Sequence, residues 1–124
     1  MFEFPKNQKL CNVKSIERLF ENGESLYEKP FRIIYNIDNN NEDVFVKALI
    51  VVPKKRVRLA SDRNVIKRRV KEAYRLQKSE LEKYLKSKNH QINLAIIYQK
   101  HKILDFKLIE EKIKLLLSRL KEEL

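Results

Sequence analysis

The chain passes from an apolar segment into a long basic one at VVPKKRVRLASDRNVIKRRVKEAYR, residues 51–75. The apolar run ends at Pro53, and beyond a short basic loop the apolar residues repeat with the period of a helix. Asp62 or Ser61 suits the N-cap of that helix. The stretch therefore predicts a strand, a loop and a long helix in direct succession.

This predicted helix has two distinct sides when its residues are spaced at 100°. The side expected to face the core carries Ile66, Val70, Ala73, Tyr74, Gln77 and Leu81. A second arc, here called the basic arc, carries Asn64, Lys67, Arg68, Lys71, Arg75 and Lys78. No acid lies in the arc before Glu82, although like charges four residues apart repel one another. Such a face is typical of a surface that binds phosphates, with a solvated cationic face as the plainer alternative.

The segments on either side of this stretch predict three strands and two further helices. Alternation over 31–37 and 92–98 predicts two strands, and residues 44–52, apolar on both faces, predict a central strand after a turn around 38–43. Helical periodicity predicts helices over about 13–22 and roughly 105–123. Asn12 or Ser15 suits the cap of the first helix, and Gly23 suits its end.

The order helix, hairpin, helix, strand, helix indicates an α+β fold. We expect a single-domain α/β sandwich over residues 1–124, with a small mixed sheet, about three helices and the order αββαβα with a possible extra short strand. A chain of 124 residues is long enough to bury a core of its own.

The positive charge is concentrated in one segment. The chain carries a net charge of +11, and residues 54–78 hold eleven Lys or Arg against two acids, whereas residues 1–53 are close to neutral. From residue 102 onward, six basic residues alternate with five acidic ones, as on an ordinary helix surface. Concentration of this kind favours a polyanionic partner, with nucleic acid first and an anionic membrane second.

Other features of the sequence point to the cytoplasm. Cys11 is alone, which fits a reducing compartment. The first five residues lack the basic and apolar regions of a signal peptide. The longest purely apolar run, residues 48–52, is too short to span a bilayer. We expect a soluble cytoplasmic protein without a membrane partner.

Residues able to perform catalysis or to bind a metal are not grouped in the sequence. His90 and His101 lie far apart, outside any Cys, His and carboxylate cluster, and a single glycine excludes a glycine-rich phosphate loop. Single-stranded nucleic acid is bound by cationic grooves with stacking aromatic rings. Phe20, Tyr35 and Phe31 are the candidates for stacking; core packing is the better expectation for Phe20 and an equal one for Tyr35.

Residues 51–75 resemble the signature of the bacterial ribonuclease P protein component, in which a basic strand end and loop lead to Arg-Asn and Lys-Arg at the start of a long helix. Here that motif reads Arg63-Asn64-Val65-Ile66-Lys67-Arg68. LCNVKSIERLFENGESLYEKPFRIIY, residues 10–35, is similar to the family's N-terminal part. The likeness covers about residues 8–98. Val65 replaces a family arginine, and Arg58-Leu59 replaces Gly-Asn.

The resemblance implies a protein subunit of ribonuclease P, which binds a catalytic RNA and assists removal of the 5′ leader from precursor tRNA. Catalysis and the Mg²⁺ ions belong mainly to the RNA, so no catalytic residue, metal site or cofactor is expected in the protein. One protein is expected per RNA. The implied contacts to the catalytic RNA are Arg63, Asn64, Lys67, Arg68, Lys71 and Arg75. The implied leader or phosphate contacts are Lys54, Lys55, Arg56, Arg58, Phe20 and Tyr35, in a cleft between the first helix and the sheet.

The resemblance also implies a left-handed βαβ crossover through the long helix. Three other functions remain as alternatives. A non-catalytic RNA-binding protein of ribosomal type would have the same basic face. An autonomous nuclease would need clustered carboxylates or histidines, and a membrane-surface helix would need bulky apolar residues where Val70 and Ala73 suit a core.

Overall fold

The computed structural model describes residues 9–39 and 43–124. Its elements follow in the order α1 (Val13–Asn22), β1 (Glu24–Glu28), β2 (Phe31–Ile37), β3 (Val46–Val51), α2 (Ala60–Lys88), β4 (Ile92–Tyr98) and α3 (Phe106–Glu123). The predicted α+β fold is confirmed, and the extra short strand is β1. The residues expected to lack a signal peptide and part of the predicted turn around 38–43 lie outside the described residues.

The four strands form one mixed sheet in the order β1-β2-β4-β3. β4 pairs antiparallel with β2 and parallel with β3. The predicted hairpin of residues 31–37 with 44–52 is therefore wrong, because β4 lies between these two strands. The hairpin is formed instead by β1 and β2, which meet at a turn containing Lys29 and Pro30.

The central position predicted for residues 44–52 is also wrong, since β3 is at one end of the sheet order. Its two faces are apolar because apolar residues of both core clusters pack on it. Its outer edge is partly paired, since the Leu10 N–H donates to the Ala48 carbonyl at 3.0 Å. Burial on both faces thus reports coverage by helices, not position in the sheet.

The connection from β3 through α2 to β4 joins two adjacent parallel strands, as a βαβ crossover does. Its left-handed sense stays a prediction. α2 begins at Ala60, and its N-cap Leu59 has no side-chain capping bond, so the caps predicted at Asp62 and Ser61 are wrong. The helix starts earlier because the Arg63 N–H already donates to the Leu59 carbonyl at 3.0 Å.

The sheet separates two apolar clusters. On one face, the sheet packs against α2 and α3, and the core side predicted for α2 is buried at Ile66, Val70, Ala73, Tyr74 and Leu81. Gln77 is half-buried there, and its Nε2 donates to the carbonyls of Ala73 and Glu110 at 3.2 and 3.1 Å. On the other face, Leu19 of α1 packs with Ile34 of β2 and Ala95 of β4.

The end of α1 lies very close to the sheet. Asn12 caps the helix, since its Oδ1 accepts from the Ser15 N–H at 3.0 Å. At the other end, the Gly23 N–H donates to the Leu19 carbonyl at 2.8 Å. A Cβ atom at Gly23 would collide with that carbonyl oxygen and with the Ile34 side chain. The only glycine of the chain therefore allows α1 to turn directly into β1.

Substituting Gly23 with alanine should lower the free energy of unfolding by about 1–3 kcal/mol, because backbone and core atoms must shift to admit the methyl group. Chemical denaturation measures this effect. Ser79→Ala, at an exposed position of α2, is the matched control and should change stability by less than about 0.5 kcal/mol. Equal stability of the two variants would contradict the close approach of α1 to the sheet.

Candidate nucleic-acid interface

The first part of the basic arc forms a shallow depression on the outer side of α2. Asn64, Lys67, Arg68 and Lys71 line this space of about 330 Å³, and we call these four residues the basic depression. The structure thus brings together four of the six residues predicted to contact the catalytic RNA. Their spacing by three and four residues places one amide and three cations on one side of two helical turns.

Arg75 lies beyond this depression, and its charge is offset by an acid. Its Nε and Nη2 donate to the two carboxylate oxygens of Glu72 at 2.9 and 2.6 Å. This hydrogen-bonded pair lowers the pKa of Glu72 and raises the pKa of Arg75. The expected uninterrupted repulsion along the arc is therefore wrong at Arg75. Helical spacing missed the pair because Glu72 lies outside the arc, yet an i,i+3 contact reaches it. Lys78 is half-buried one turn further on.

The loop Lys54–Arg58, here called the basic loop, is anchored at its centre. Val57 is buried in the main core, whereas Lys54, Lys55 and Arg58 are exposed and Arg56 is half-buried. The N–H groups of Arg56 and Val57 both donate to the Pro53 carbonyl at 3.0 Å. The loop is therefore a tight turn that presents its cations around one buried valine.

Arg63 holds this loop from the side of α2. Its Nη1 donates to the carbonyls of Val57 and Arg58 at 2.9 and 2.7 Å. The guanidinium therefore fastens the loop at the position where Arg58-Leu59 replaces the family's Gly-Asn. Arg63 was predicted to contact the catalytic RNA, and the structure shows that it first makes these two bonds within the protein.

The segment after β4 lies against the other side of the basic loop. His101 Nδ1 is 3.0 Å from the Arg56 carbonyl oxygen, which can only accept, so this nitrogen carries the hydrogen. The exposed Lys100 and Lys102 are thereby brought beside the basic loop. The sequence interpretation missed these two cations, which stand some 45 residues downstream of Arg56.

Arg69 does not take the place of the arginine that the family has where this chain has Val65. Its Nη1 donates to the Leu104 carbonyl at 2.7 Å and ties α2 to the segment before α3. Val65 itself is half-buried on α2. This motif position thus has no cationic replacement from Arg69.

The aromatic candidates lie on opposite faces of the sheet. Tyr35 is only 7% exposed and packs in the core beneath α2 and α3. Burial, with help from the carboxylates of Glu123 and Glu24, raises its pKa. Phe31 is buried in the same core. Because this face is opposite to α1, neither ring can stack in a cleft between α1 and the sheet, and the leader contact predicted for Tyr35 is wrong.

Phe20 has the opposite outcome, since it is 45% exposed on α1 and the expectation of core packing is wrong. It lies about 100° around the helix from the buried Leu19, with Arg18 about 100° to the other side. Arg18 reaches Asp38 just beyond β2, at 3.8 Å. Phe20 therefore faces the opposite end of the strands, where β2 begins.

An open row of residues crosses the sheet at that end. The register aligns Tyr27 of β1, Arg32 of β2, Ile97 of β4 and Val51 of β3. Tyr27 is exposed and Arg32 and Val51 are half-buried, whereas α1 covers the next row around Ile34. We call the space between Phe20 and this row the α1 groove. It leads from β1 across to β3, which continues into the basic loop.

The family model for ribonuclease P matches residues 4–121. The chain belongs to this family. It is 29% identical over 119 residues to the ribonuclease P protein component of Porphyromonas gingivalis, covering 96% of this chain and 87% of that protein. It is 34% identical over 102 residues to the component of Chlorobaculum tepidum, covering 77% of this chain and 66% of that protein.

Solved structures of ribonuclease P proteins share the fold. One is a Staphylococcus aureus RNase P protein mutant with defective mRNA degradation activity. It is 23% identical, covers 94% of this chain and 90% of that one, and superposes with a TM-score of 0.74. Family membership makes the ribonuclease P chain a tRNA-processing, RNA-binding subunit of an endoribonuclease that associates with ribonuclease P RNA.

Two properties of the described residues complete this picture. No helix among them is long and apolar enough to cross a membrane. Within residues 9–39 and 43–124, no group of three or more His, Cys, Asp or Glu side chains is placed to hold a metal ion.

Reversing Lys67 and Lys71 to glutamate should weaken binding of ribonuclease P RNA, because both cations line the basic depression. The slope of log affinity against log salt should fall by about one for each phosphate that the protein no longer neutralises. Lys107→Glu with Lys114→Glu is the matched control, since both lysines are exposed on α3 and the net charge changes equally. Equally weakened binding in the two double variants would show that the depression has no special role.

Arg63→Met should raise hydrogen exchange at the Arg56 and Val57 amides, because the loop is then without both bonds to the guanidinium. Charge-assisted bonds of this kind stabilise by about 1.5–3 kcal/mol each, although the half-exposed position lowers that value. Arg68→Met removes the same charge from an exposed residue of the depression and should leave loop exchange unchanged. The same exchange in both variants would contradict a clamp by Arg63.

Proposed function

We propose that the protein binds the catalytic RNA through the basic depression and the single-stranded 5′ leader of precursor tRNA in the α1 groove. One observation carries this assignment. The basic loop connects β3, which forms one wall of the groove, to α2, which carries the depression. A backbone following the groove and an RNA lying on α2 would therefore meet the same cluster of cations, as expected for two RNA segments held side by side.

The residues suited to each RNA differ in chemistry. The depression offers an arginine fork and two lysine point charges for phosphates of a folded RNA. The groove combines the exposed ring of Phe20 with Lys54, Lys55 and Arg58, the combination by which single strands are bound without base readout. Lys100 and Lys102 extend this cationic rim on the other side of the basic loop.

Cleavage itself is assigned to the RNA, which would hold the Mg²⁺ ions, with one protein per RNA in the cytoplasm. The protein would contribute fixed cations where the two RNAs approach each other. Fixed charges of this kind replace diffuse ions that would otherwise screen phosphate repulsion. Membership of the ribonuclease P family favours this function over a ribosomal type of RNA-binding protein.

Adding the protein to ribonuclease P RNA should increase cleavage of precursor tRNA most strongly at limiting Mg²⁺, with a smaller effect when Mg²⁺ is abundant. Timed cleavage assays over a Mg²⁺ series measure this difference. The variant with Lys67→Glu and Lys71→Glu should require more Mg²⁺ than the control with Lys107→Glu and Lys114→Glu.

The same assay without RNA tests where catalysis lies. Protein freed of RNA should cut neither precursor tRNA nor a messenger RNA; the second substrate is included because one solved relative is a mutant with defective mRNA degradation activity. Metal-dependent cleavage of either substrate by rigorously RNA-free protein would overturn the assignment of catalysis to the RNA.

A further inference from the structure

Tyr27 presents a large aromatic surface to solvent at the far end of the α1 groove. It is 57% exposed on β1, the strand at the opposite edge of the sheet from β3. Strand alternation places its neighbour Leu26 in the main core and Tyr27 on the face that carries α1. The sequence interpretation did not single out Tyr27, because only Phe20, Phe31 and Tyr35 were weighed as stacking residues.

Arg32 holds this ring from one side. Its guanidinium carbon lies 5.4 Å from the centroid of the Tyr27 ring, in the range of a cation–π contact. Its Nη2 donates to Ser25 Oγ at 3.2 Å, which fixes the orientation of the guanidinium across the hairpin. The pair is therefore pre-organised, and the exposure of Tyr27 leaves ring surface open to a ligand.

The charge of Arg32 is incompletely satisfied within the protein. Its Nε is buried and has no acceptor among the described residues. A buried donor without a partner is costly unless a function retains it. An electron-rich or anionic ligand over the pair would lower that cost, whereas an apolar side chain from a protein partner would not.

The position of the pair identifies the ligand. Tyr27 and Arg32 begin the row that crosses β4 to Val51, and β3 then continues into the basic loop. Three strand spacings separate Tyr27 from Val51, about 14 Å. A chain that touches both the ring and the loop must therefore be extended and negatively charged, and a single-stranded nucleic acid has both properties.

We propose that Tyr27 and Arg32 form a stacking subsite for one unpaired base of the RNA that occupies the α1 groove. The subsite rests on the proposed function for the identity of that RNA as the precursor-tRNA leader. Stacking uses the π-face that every base has, so the subsite senses whether a nucleotide is present and not which base it carries.

Tyr27→Ala tests the subsite in the complex of the protein with ribonuclease P RNA. Affinity is measured for precursor tRNAs whose leaders are lengthened one nucleotide at a time. We expect an affinity loss of about tenfold that begins at one leader length and is absent for shorter leaders and for mature tRNA. Tyr27→Phe keeps the ring and should bind as the wild type does. Thermal melting should be unchanged, because the ring is exposed.

Tyr84 provides a matched control. Its ring also contacts a cation, with Lys88 Nζ 5.7 Å from the centroid, but the pair lies near the end of α2 away from the basic loop. Tyr84→Ala should leave binding unchanged at every leader length. A loss of affinity equal to that of Tyr27→Ala would show that any exposed aromatic–cation pair suffices and would overturn the subsite.

Lys54→Gln combined with Lys55→Gln separates the subsite from the proposed function. Leader-dependent binding that disappears in this double variant but is intact in Tyr27→Ala would overturn the subsite and leave the leader groove standing. Binding that never depends on leader length, in any variant, would overturn both. A tenfold loss of affinity in Tyr27→Ala that is equal for mature tRNA would also overturn the subsite, since it would place the tyrosine outside the leader path.

Discussion

The parallel pairing of β3 with β4 is the constraint on which the arrangement of the protein depends. Adjacent parallel strands cannot be joined by a tight turn, because the chain must return to the end at which it started. Here the return is made through the basic loop and the 29 residues of α2. The most basic segment of the sequence is therefore also the connection that closes the sheet, and its cations are placed by the packing of a core helix.

This double use explains why several cations have tasks within the protein. Arg63 fastens the basic loop, Arg69 ties α2 to the segment before α3, and Arg75 pairs with Glu72. Lys67 and Lys71 line the basic depression instead. Arginine suits the first task because its planar, fixed fork reaches defined acceptors, whereas lysine serves as a mobile point charge for phosphates.

The two sides of the sheet divide structure from recognition. The face toward α2 and α3 is closed, so Phe31 and Tyr35 contribute to stability through burial. The face toward α1 is only partly covered because α1 has ten residues and occupies the middle rows of the sheet. The remaining row, from Tyr27 to Val51, is left partly open. A short helix on one face of a small sheet is therefore enough to create an extended groove beside a cationic loop.

The sequence by itself determined the elements and the location of the charge. Helical and strand periodicities depend on local backbone geometry, so α1, β2, α2, β4 and α3 could be predicted from spacing alone. The basic depression could be predicted for the same reason, since residues three and four apart on one helix must be neighbours. The caps of α2 could not, because Ser61 and Asp62 suit a cap position whether or not the helix begins there.

Only the tertiary structure decided which strands are neighbours and which face each aromatic ring occupies. The insertion of β4 between β2 and β3 is a long-range pairing that period two does not encode, and it moved residues 44–52 from the centre to the edge. Alternation shows that Ile34 and Tyr35 point to opposite faces, but not which face α1 covers. Packing of Leu19 on Ile34 settles that choice, and with it the burial of Tyr35 and the exposure of Tyr27 beside the groove.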